Sequence, residues 1–279
     1  MIIEWFNLTP FNIAFVFYFI GAVLALGAWV LRGRGRWVLR SACGAIVAAA
    51  IAHTALILHR WIAGGHPPLA GMFDAVVFFS WTTVVAFGAA EIIFRTRWLA
   101  LFVAATEVIL LAYASDFDPA IRPLIPVLKS TWLTIHVFAY MIAYGVMTIG
   151  CFAAVCYYAF LAAQGDGEAT QRFDRLTYRL VAFGFPLLTV GILTGAVWAD
   201  RTWGRYWGWD PKETWSLITW IVYAAFLHLR YWSRSWAIEP QRRSAVLNWI
   251  AILGFGAIIF TFLLLKYLPS ADESLHIYL

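Results

Sequence analysis

The sequence predicts an all-α polytopic membrane protein with about eight transmembrane helices and both termini on the outer (periplasmic or lumenal) side. Three observations predict it. Of 279 residues, 63% are hydrophobic and 13% charged, and the mean hydropathy is +0.77; a water-soluble domain of this length needs far less apolar surface. Apolar runs of roughly 20 residues, the length that spans a bilayer, recur along the chain. Lys and Arg collect in alternate loops. The competing reading, a soluble all-helical core, sits poorly with so many long uncharged runs.

The spans fall at about residues 11–31, 41–61, 72–94, 98–115, 131–163, 179–199, 214–231 and 244–268. No basic stretch and cleavage site open the chain, so the first span is expected to remain as an anchor. One membrane domain over 1–279 is expected, with no soluble domain large enough to fold alone. Residues 62–71, IAGGHPPLAG, read as a Gly/Pro turn, and residues 116–130 carry three prolines that forbid a continuous helix. The polar segment QGDGEATQRFDR reads as a plain connector, and the last ten residues as an outward tail.

Thirteen of the Lys and Arg residues lie in one set of alternate loops, around Arg32–Arg40, Arg95 and Arg97, Arg172–Arg179 and Arg230–Arg243; seven lie in the other. The richer set should be cytoplasmic, or stromal in a thylakoid. Both termini and the loop over 199–213 then face outward. Topology accounts for the net charge of +5, so no nucleic-acid partner is needed.

The segment WGRYWGWDPKETWSLITW holds Trp203, Trp207, Trp209, Trp215 and Trp220 within eighteen residues. Gly204 and Gly208 separate the first indoles, and Asp210 follows them. Such a segment offers flat apolar faces on a backbone that glycine lets approach a ligand closely. A flat, partly hydrophobic guest with acidic edges suits it, and a porphyrin fits that description. Interfacial anchoring explains Trp5, Trp37, Trp61, Trp98 and Trp132 but explains this cluster poorly. Asp210 is expected to orient the loop and cap the seventh span at Asp-Pro-Lys-Glu.

Depth sorts the histidines. His136 is six positions into 33 uncharged residues from Thr131 to Ala163. That run is about 50 Å long against a hydrocarbon core of about 30 Å, which puts His136 near the outer interface. His276 lies in the tail on the same side. Two neutral imidazoles on opposite faces of one ring form a standard axial pair for haem iron. His228 is roughly 21 Å deep and His53 roughly 12 Å, so neither joins that pair; each is also explained by a hydrogen bond to a neighbouring helix. His59 and His66 read as interfacial or loop-shaping.

Cys43, Cys151 and Cys156 fall inside spans and form no CxxC motif, so they are expected to pack. Tyr140 and Tyr144 follow His136 at helical spacing and read as a packed aromatic stripe. Glu107, near the middle of the fourth span, must be neutral or paired. An interhelical hydrogen bond is its expected state, with a part in proton balance or haem passage as the alternative.

The tryptophan segment, followed by IVYAAFLHLR, resembles the WWD signature of haem-handling proteins of cytochrome c maturation, in the form found in the CcsA (ResC) family of the system II pathway. HTALILHRWIAGGHPPLAGMFDAVVFFSW from His53, STWLTIHVFAY around His136 and SLHIY around His276 fit the same family in order. This chain has PLAGMFDA where that family usually resembles PLSNLYES, which places Asp74 in a glutamate's position. CcmC-type handlers have fewer spans and CcmF-type proteins are far longer.

The resemblance implies roles. His136 and His276 match the external haem-iron ligands, and His228 the intramembrane histidine that holds haem b (non-covalent iron protoporphyrin IX) in transit. The second buried ligand is expected from a CcsB (ResB) partner. Trp203, Trp207, Trp209 and Asp210 form the ring site. Arg201, Arg205 and Lys212 pair with propionates or, on the alternative reading, with lipid headgroups. The implied activity is a cytochrome c haem lyase component that presents haem to an apocytochrome CxxCH peptide in the bacterial inner membrane, a thylakoid being the alternative. A haem exporter without ligation activity and a HemX-like regulatory protein are the rival functions.

Overall fold

The computed structural model describes residues 2–31, 35–69, 71–232 and 239–267, with side chains from Thr9 onward. Eight α-helices order these residues: α1 (Ile2–Val30), α2 (Arg36–Gly64), α3 (Met72–Phe94), α4 (Ala100–Ala114), α5 (Thr131–Gln164), α6 (Glu168–Trp203), α7 (Pro211–Trp232) and α8 (Pro240–Ile259). The all-α expectation holds among the described residues. Among the described residues seven helices are long and apolar enough to cross a membrane, against about eight expected. The other is α7, whose 22 residues dilute their Leu, Ile and Val with Trp, Tyr, Thr and His. The chain is a multi-pass membrane protein, built as two compact units: α1–α4 and α5–α8. Outward-facing apolar side chains such as Ile51, Ile92 and Phe183 are the lipid-facing surface such a protein needs.

In the first unit, small residues let the helices approach closely. A Cβ on Gly21 of α1 would sit 3.1 Å from Ile46 of α2 and 3.7 Å from Ala104 of α4. The α2–α3 turn begins where Gly65 adopts φ 68° and closes α2 through its N–H to Trp61 O. Arg60 and Asp74 face each other across this hairpin at 2.5 Å, both buried. Arg60 also donates to Pro119 O at 2.8 Å and lies over the Phe73 ring. The proline-bearing stretch is irregular, as expected, with one 3-10 turn at Pro126–Leu128.

In the second unit, a three-residue connection joins α5 to α6. The expected connector QGDGEATQRFDR is therefore mostly helix, and the helix around the span expected at 179–199 begins eleven residues earlier, at Glu168. Its polar residues hide the start, yet Asp174 is buried because Arg230 of α7 meets it with both guanidinium branches, at 2.7 and 2.9 Å, and Asn248 of α8 donates at 3.0 Å. On the way α7 packs Trp220 against Phe185 and Thr189 of α6. Trp215 meets Phe260, where α8 gives way to a π turn (Phe260–Leu264).

Candidate functional site

At the C-terminal end of α6 the chain turns tightly. Gly204, at φ 71°, caps the helix through its N–H to Asp200 O, a left-handed conformation that glycine adopts without strain. Only residues 204–210 lie outside helices, so the loop is shorter than the expected 199–213. Trp203 ends α6 and packs edge-on against the buried Trp198, whose Nε1 donates to Val127 O at 3.2 Å. Trp207 and Trp209 meet edge-on with ring centroids 5.9 Å apart.

Asp210 caps α7, as the Asp-Pro-Lys-Glu pattern predicts. Its Oδ1 accepts the Lys212 N–H at 2.8 Å, while Glu213 Oε2 reaches back to the N–H groups of Gly208 (2.8 Å) and Asp210 (3.2 Å). This reciprocal box satisfies donors that a helix start otherwise leaves unpaired. It also holds Trp209 at φ 58°, where a bulky residue is strained, with 69% of its surface exposed. Desolvation of the Lys212 ammonium lowers its pKa to about 8, against the opposing pull of Asp210.

The other cations differ in setting. Arg201 is exposed, with its guanidinium over the Trp132 ring at 5.4 Å. Arg205 is also exposed, and its guanidinium lies against Gly208, where a Cβ would meet it at 2.8 Å.

His136 sits one turn into the unit from Trp132, at the same end as this loop. Its Nδ1–H donates to Gly191 O at 2.7 Å, which orients the ring and sets which nitrogen carries the proton toward α6. The ring fills a notch that glycine makes in α6: a Cβ on Gly195 would lie 2.4 Å from Nδ1, and one on Gly191 2.5 Å from the Tyr140 ring. Tyr140 backs the imidazole edge-on at 4.8 Å, and Tyr144 backs Tyr140 at 5.3 Å. Gly191 and Gly195 went unread in the sequence, although their small-xxx-small spacing is the signal for close helix approach.

His228 lies 17 positions beyond Pro211 on α7, about 26 Å along the axis, so the structure does not bring it to His136. Its Nδ1–H donates to Ala224 O at 2.7 Å, its ring lies 5.7 Å from Trp232, and the side chain is exposed. Two residues further on, Arg230 ties this end of α7 to Asp174. His276 lies outside the described residues, as do Arg32, Arg34 and Arg234.

His53 is fully buried in the first unit between Tyr18 Oη (3.2 Å) and Val77 O (3.0 Å), matching the hydrogen-bonding reading. His66 faces two carbonyls, of Pro67 and Arg122, and serves as a loop tie; His59 is exposed. The three cysteines are free thiols within helices. No cluster of three or more His, Cys, Asp or Glu among the described residues is arranged to hold a metal ion.

These features define a polytopic helical membrane protein that holds an imidazole of α5 against α6 at the end that carries a capped aromatic loop. The profile of the Cytochrome C assembly protein family matches residues 67–271, well over half of the chain, and the chain belongs to that family. Among its relatives is the cytochrome c biogenesis protein CcsA of Guillardia theta, 36% identical over 220 residues that cover 67% of this chain and 71% of that protein. The CcsA of Gloeobacter violaceus is 32% identical over 249 residues (67% and 74%). That of Thermosynechococcus vestitus is 31% identical over 269 residues (78% and 83%). The chain is thus a cytochrome c biogenesis protein of the CcsA kind, with a role in cytochrome c maturation that implies handling of haem and an encounter with apocytochrome.

Proposed function

We propose that this chain holds haem at the tryptophan-loop end of its second unit and presents it for thioether attachment to apocytochrome c. The observation that carries the reading is the His136 ring held by its Nδ1–H···O=C bond to Gly191, with Nε2 as the nitrogen that would bind iron. A partner on the second ring nitrogen is what orients a metal-binding imidazole and raises its basicity. His276, which lies outside the described residues, would be the second histidine to hold the iron. The exposed Trp209, with Trp203 and Trp207, offers the ring apolar faces, and Asp210 sets the loop that carries them. Arg201, Arg205 and Lys212 pair with the propionates, since charge-assisted hydrogen bonds to carboxylates are strong.

His228 is the earlier holding site. Its Nδ1–H is occupied by Ala224 and its side chain faces away from the helix bundle, so a CcsB (ResB)-type membrane partner can supply the second ligand. In attachment, a CxxCH thiol adds across each vinyl double bond. Sulfur bonds to one carbon and the thiol hydrogen goes to the other, with no net oxidation. The protein's part is position and exclusion of alternatives, as a haem lyase component acting with its partner. The proposed setting is the bacterial cytoplasmic membrane, with the loop outward.

The test is purification with and without the CcsB-type partner, followed by reduced absorption spectra. A b-type signal is expected from the wild type, and its loss from a His136→Ala/His276→Ala double variant. Absence of that signal from the wild type, or full retention in the variant, overturns the ligand assignment. Co-expression with a CxxCH reporter then separates ligation from simple export: haem bound without covalent attachment to the reporter would mark an exporter.

A further inference from the structure

Large side chains of α5 seat in gaps that glycines leave in α6. The two helices run antiparallel, with His136 against Gly195, Tyr140 against Gly191 and Met147 against Gly184. A Cβ on those glycines would lie 2.4 Å, 2.5 Å and 3.1 Å from the three side chains in turn. Met147 shows that a flexible apolar chain is enough to fill such a gap. Positions 136, 140 and 144 carry rings instead. Spaced four apart, they stand one above another on a single face of α5. The His136 and Tyr140 centroids are 4.8 Å apart, and those of Tyr140 and Tyr144 5.3 Å apart, both pairs edge-on. These are separations and angles at which aromatic rings attract.

The column continues into α8. A π turn carries one more residue than an α turn, so it redirects the side chains that follow it. In the turn over Phe260–Leu264, three successive side chains each reach another helix. Phe260 meets the Trp215 ring at 4.1 Å, Thr261 Oγ1 lies 3.4 Å from the Thr219 hydroxyl, and Phe262 meets the Tyr144 ring at 6.3 Å. Tyr140 and Tyr144 are buried, whereas His136 is half-buried at the loop end. The column thus runs from the π turn through two enclosed phenols to a partly accessible imidazole.

The Nδ1–H bond to Gly191 O pins one nitrogen of His136, but a ring can still pivot about such a bond. Its plane is set by what its edge rests on, and Tyr140 is that support. Gly191 serves both residues: its carbonyl accepts from His136, and its missing side chain admits the Tyr140 ring. The plane of an axial imidazole decides which iron orbitals it overlaps, so a change in that plane is visible in the haem spectrum.

We propose that Tyr140 is a positioning residue: its ring sets the imidazole plane of His136, with Tyr144 and Phe262 of the π turn as its backing. The effect on haem rests on His136 being an iron ligand; the effect on the imidazole itself does not.

Two substitutions separate the ring from its bulk. Tyr140→Met copies the Met147–Gly184 pair and fills the gap without a ring, whereas Tyr140→Phe keeps the ring. In the haem-free full chain, diethyl pyrocarbonate labelling read by mass spectrometry reports how firmly the His136 imidazole is held, with the exposed His59 as internal reference. Tyr140→Met is expected to speed labelling of His136 several-fold and leave His59 unchanged, while Tyr140→Phe matches the wild type. With haem loaded, the low-spin electron paramagnetic resonance signal of the oxidised iron should split into more than one species in Tyr140→Met. Its haem affinity should fall about 10-fold, and Tyr140→Phe should restore both. Phe262→Leu, at the far end of the column, should also speed His136 labelling, and it decides the matter if Tyr140→Met does not fold. An unchanged His136 rate in the variant that decides, or an equal rise in Tyr140→Met and Tyr140→Phe, overturns the proposal. A failure of the ligand assignment is told apart, because the haem signal would then be indifferent to His136→Ala while the labelling difference persists.

Discussion

Replacing Gly195 by alanine puts a methyl group 2.4 Å from His136 Nδ1 and 2.6 Å from Cε1. Comfortable contact needs about 3.5 Å, so the imidazole must retreat from α6 by about 1 Å. Gly191, which accepts the Nδ1–H at 2.7 Å, is on that same helix. Retreat stretches this bond to about 3.7 Å, past the roughly 3.2 Å limit of a useful N–H···O contact. The ring is then free to rotate and to change tautomer. Losing the orienting partner of a metal-binding histidine typically costs about 10–100-fold in affinity, or about 1.4–2.7 kcal/mol. Overpacking of the α5–α6 interface adds about 1–3 kcal/mol to the loss of stability. The assay is a haem titration of purified protein followed by reduced absorption spectra. Gly88→Ala, where a Cβ meets nothing within 4 Å, is the control and should match the wild type. A Gly195→Ala variant with wild-type affinity and spectrum would refute the claim that α6 orients His136.

Asp174→Ala strands Arg230, whose side chain is only 15% exposed. A loss of about 3–5 kcal/mol is expected in detergent unfolding, most of it recovered in Asp174→Leu/Arg230→Met. Lys212 has a folded pKa of about 8 against the ordinary lysine value of 10.5, so between those values the unfolded chain binds the extra proton and stability rises with pH. Lys212→Met should remove that slope in unfolding curves and be the more stable protein below pH 8, where wild-type Lys212 is charged at a desolvated site. Trp209→Gly relieves a left-handed conformation worth about 1–3 kcal/mol while deleting an exposed indole. Its thermal stability should stay level or rise as haem retention falls; a parallel fall in both would argue that Trp209 is a packing residue.

How far the site was legible depended on whether its signals were local. Long apolar runs predicted most of the helices, and the Asp-Pro-Lys-Glu cap followed from a four-residue pattern with a known hydrogen-bond geometry. Other assignments needed tertiary partners. Asp174 sits in a polar stretch that reads as a connector, and its burial depends on Arg230, 56 positions away. The seventh helix read as one more span, yet its aromatic and polar residues serve neighbouring helices: Trp220 donates to Thr189, and Thr219 faces Thr261. Trp215 and Trp220 belong to the tryptophan segment by sequence but pack inward, whereas Trp209 is displayed. Composition treats these indoles alike; only the cap and the neighbouring helices separate them.

On the proposed ligands, helix α7 would keep two haem sites apart. Its first turn is held by Asp210 and Glu213 beside the tryptophan loop, and its last turns are held by the Arg230–Asp174 pair beside His228. Tied at both ends, α7 cannot slide to bring His228 toward His136 without breaking either the capping box or a buried ion pair. The about 26 Å between its first residue and His228 is therefore a fixed separation. On the proposed ligands, one iron would then not be shared between the loop end of α7 and His228. A cargo that uses both must visit them in turn, which is what a transit site and a presentation site require. Disabling the His228 end should then empty both sites, whereas disabling the His136 end should leave haem at His228.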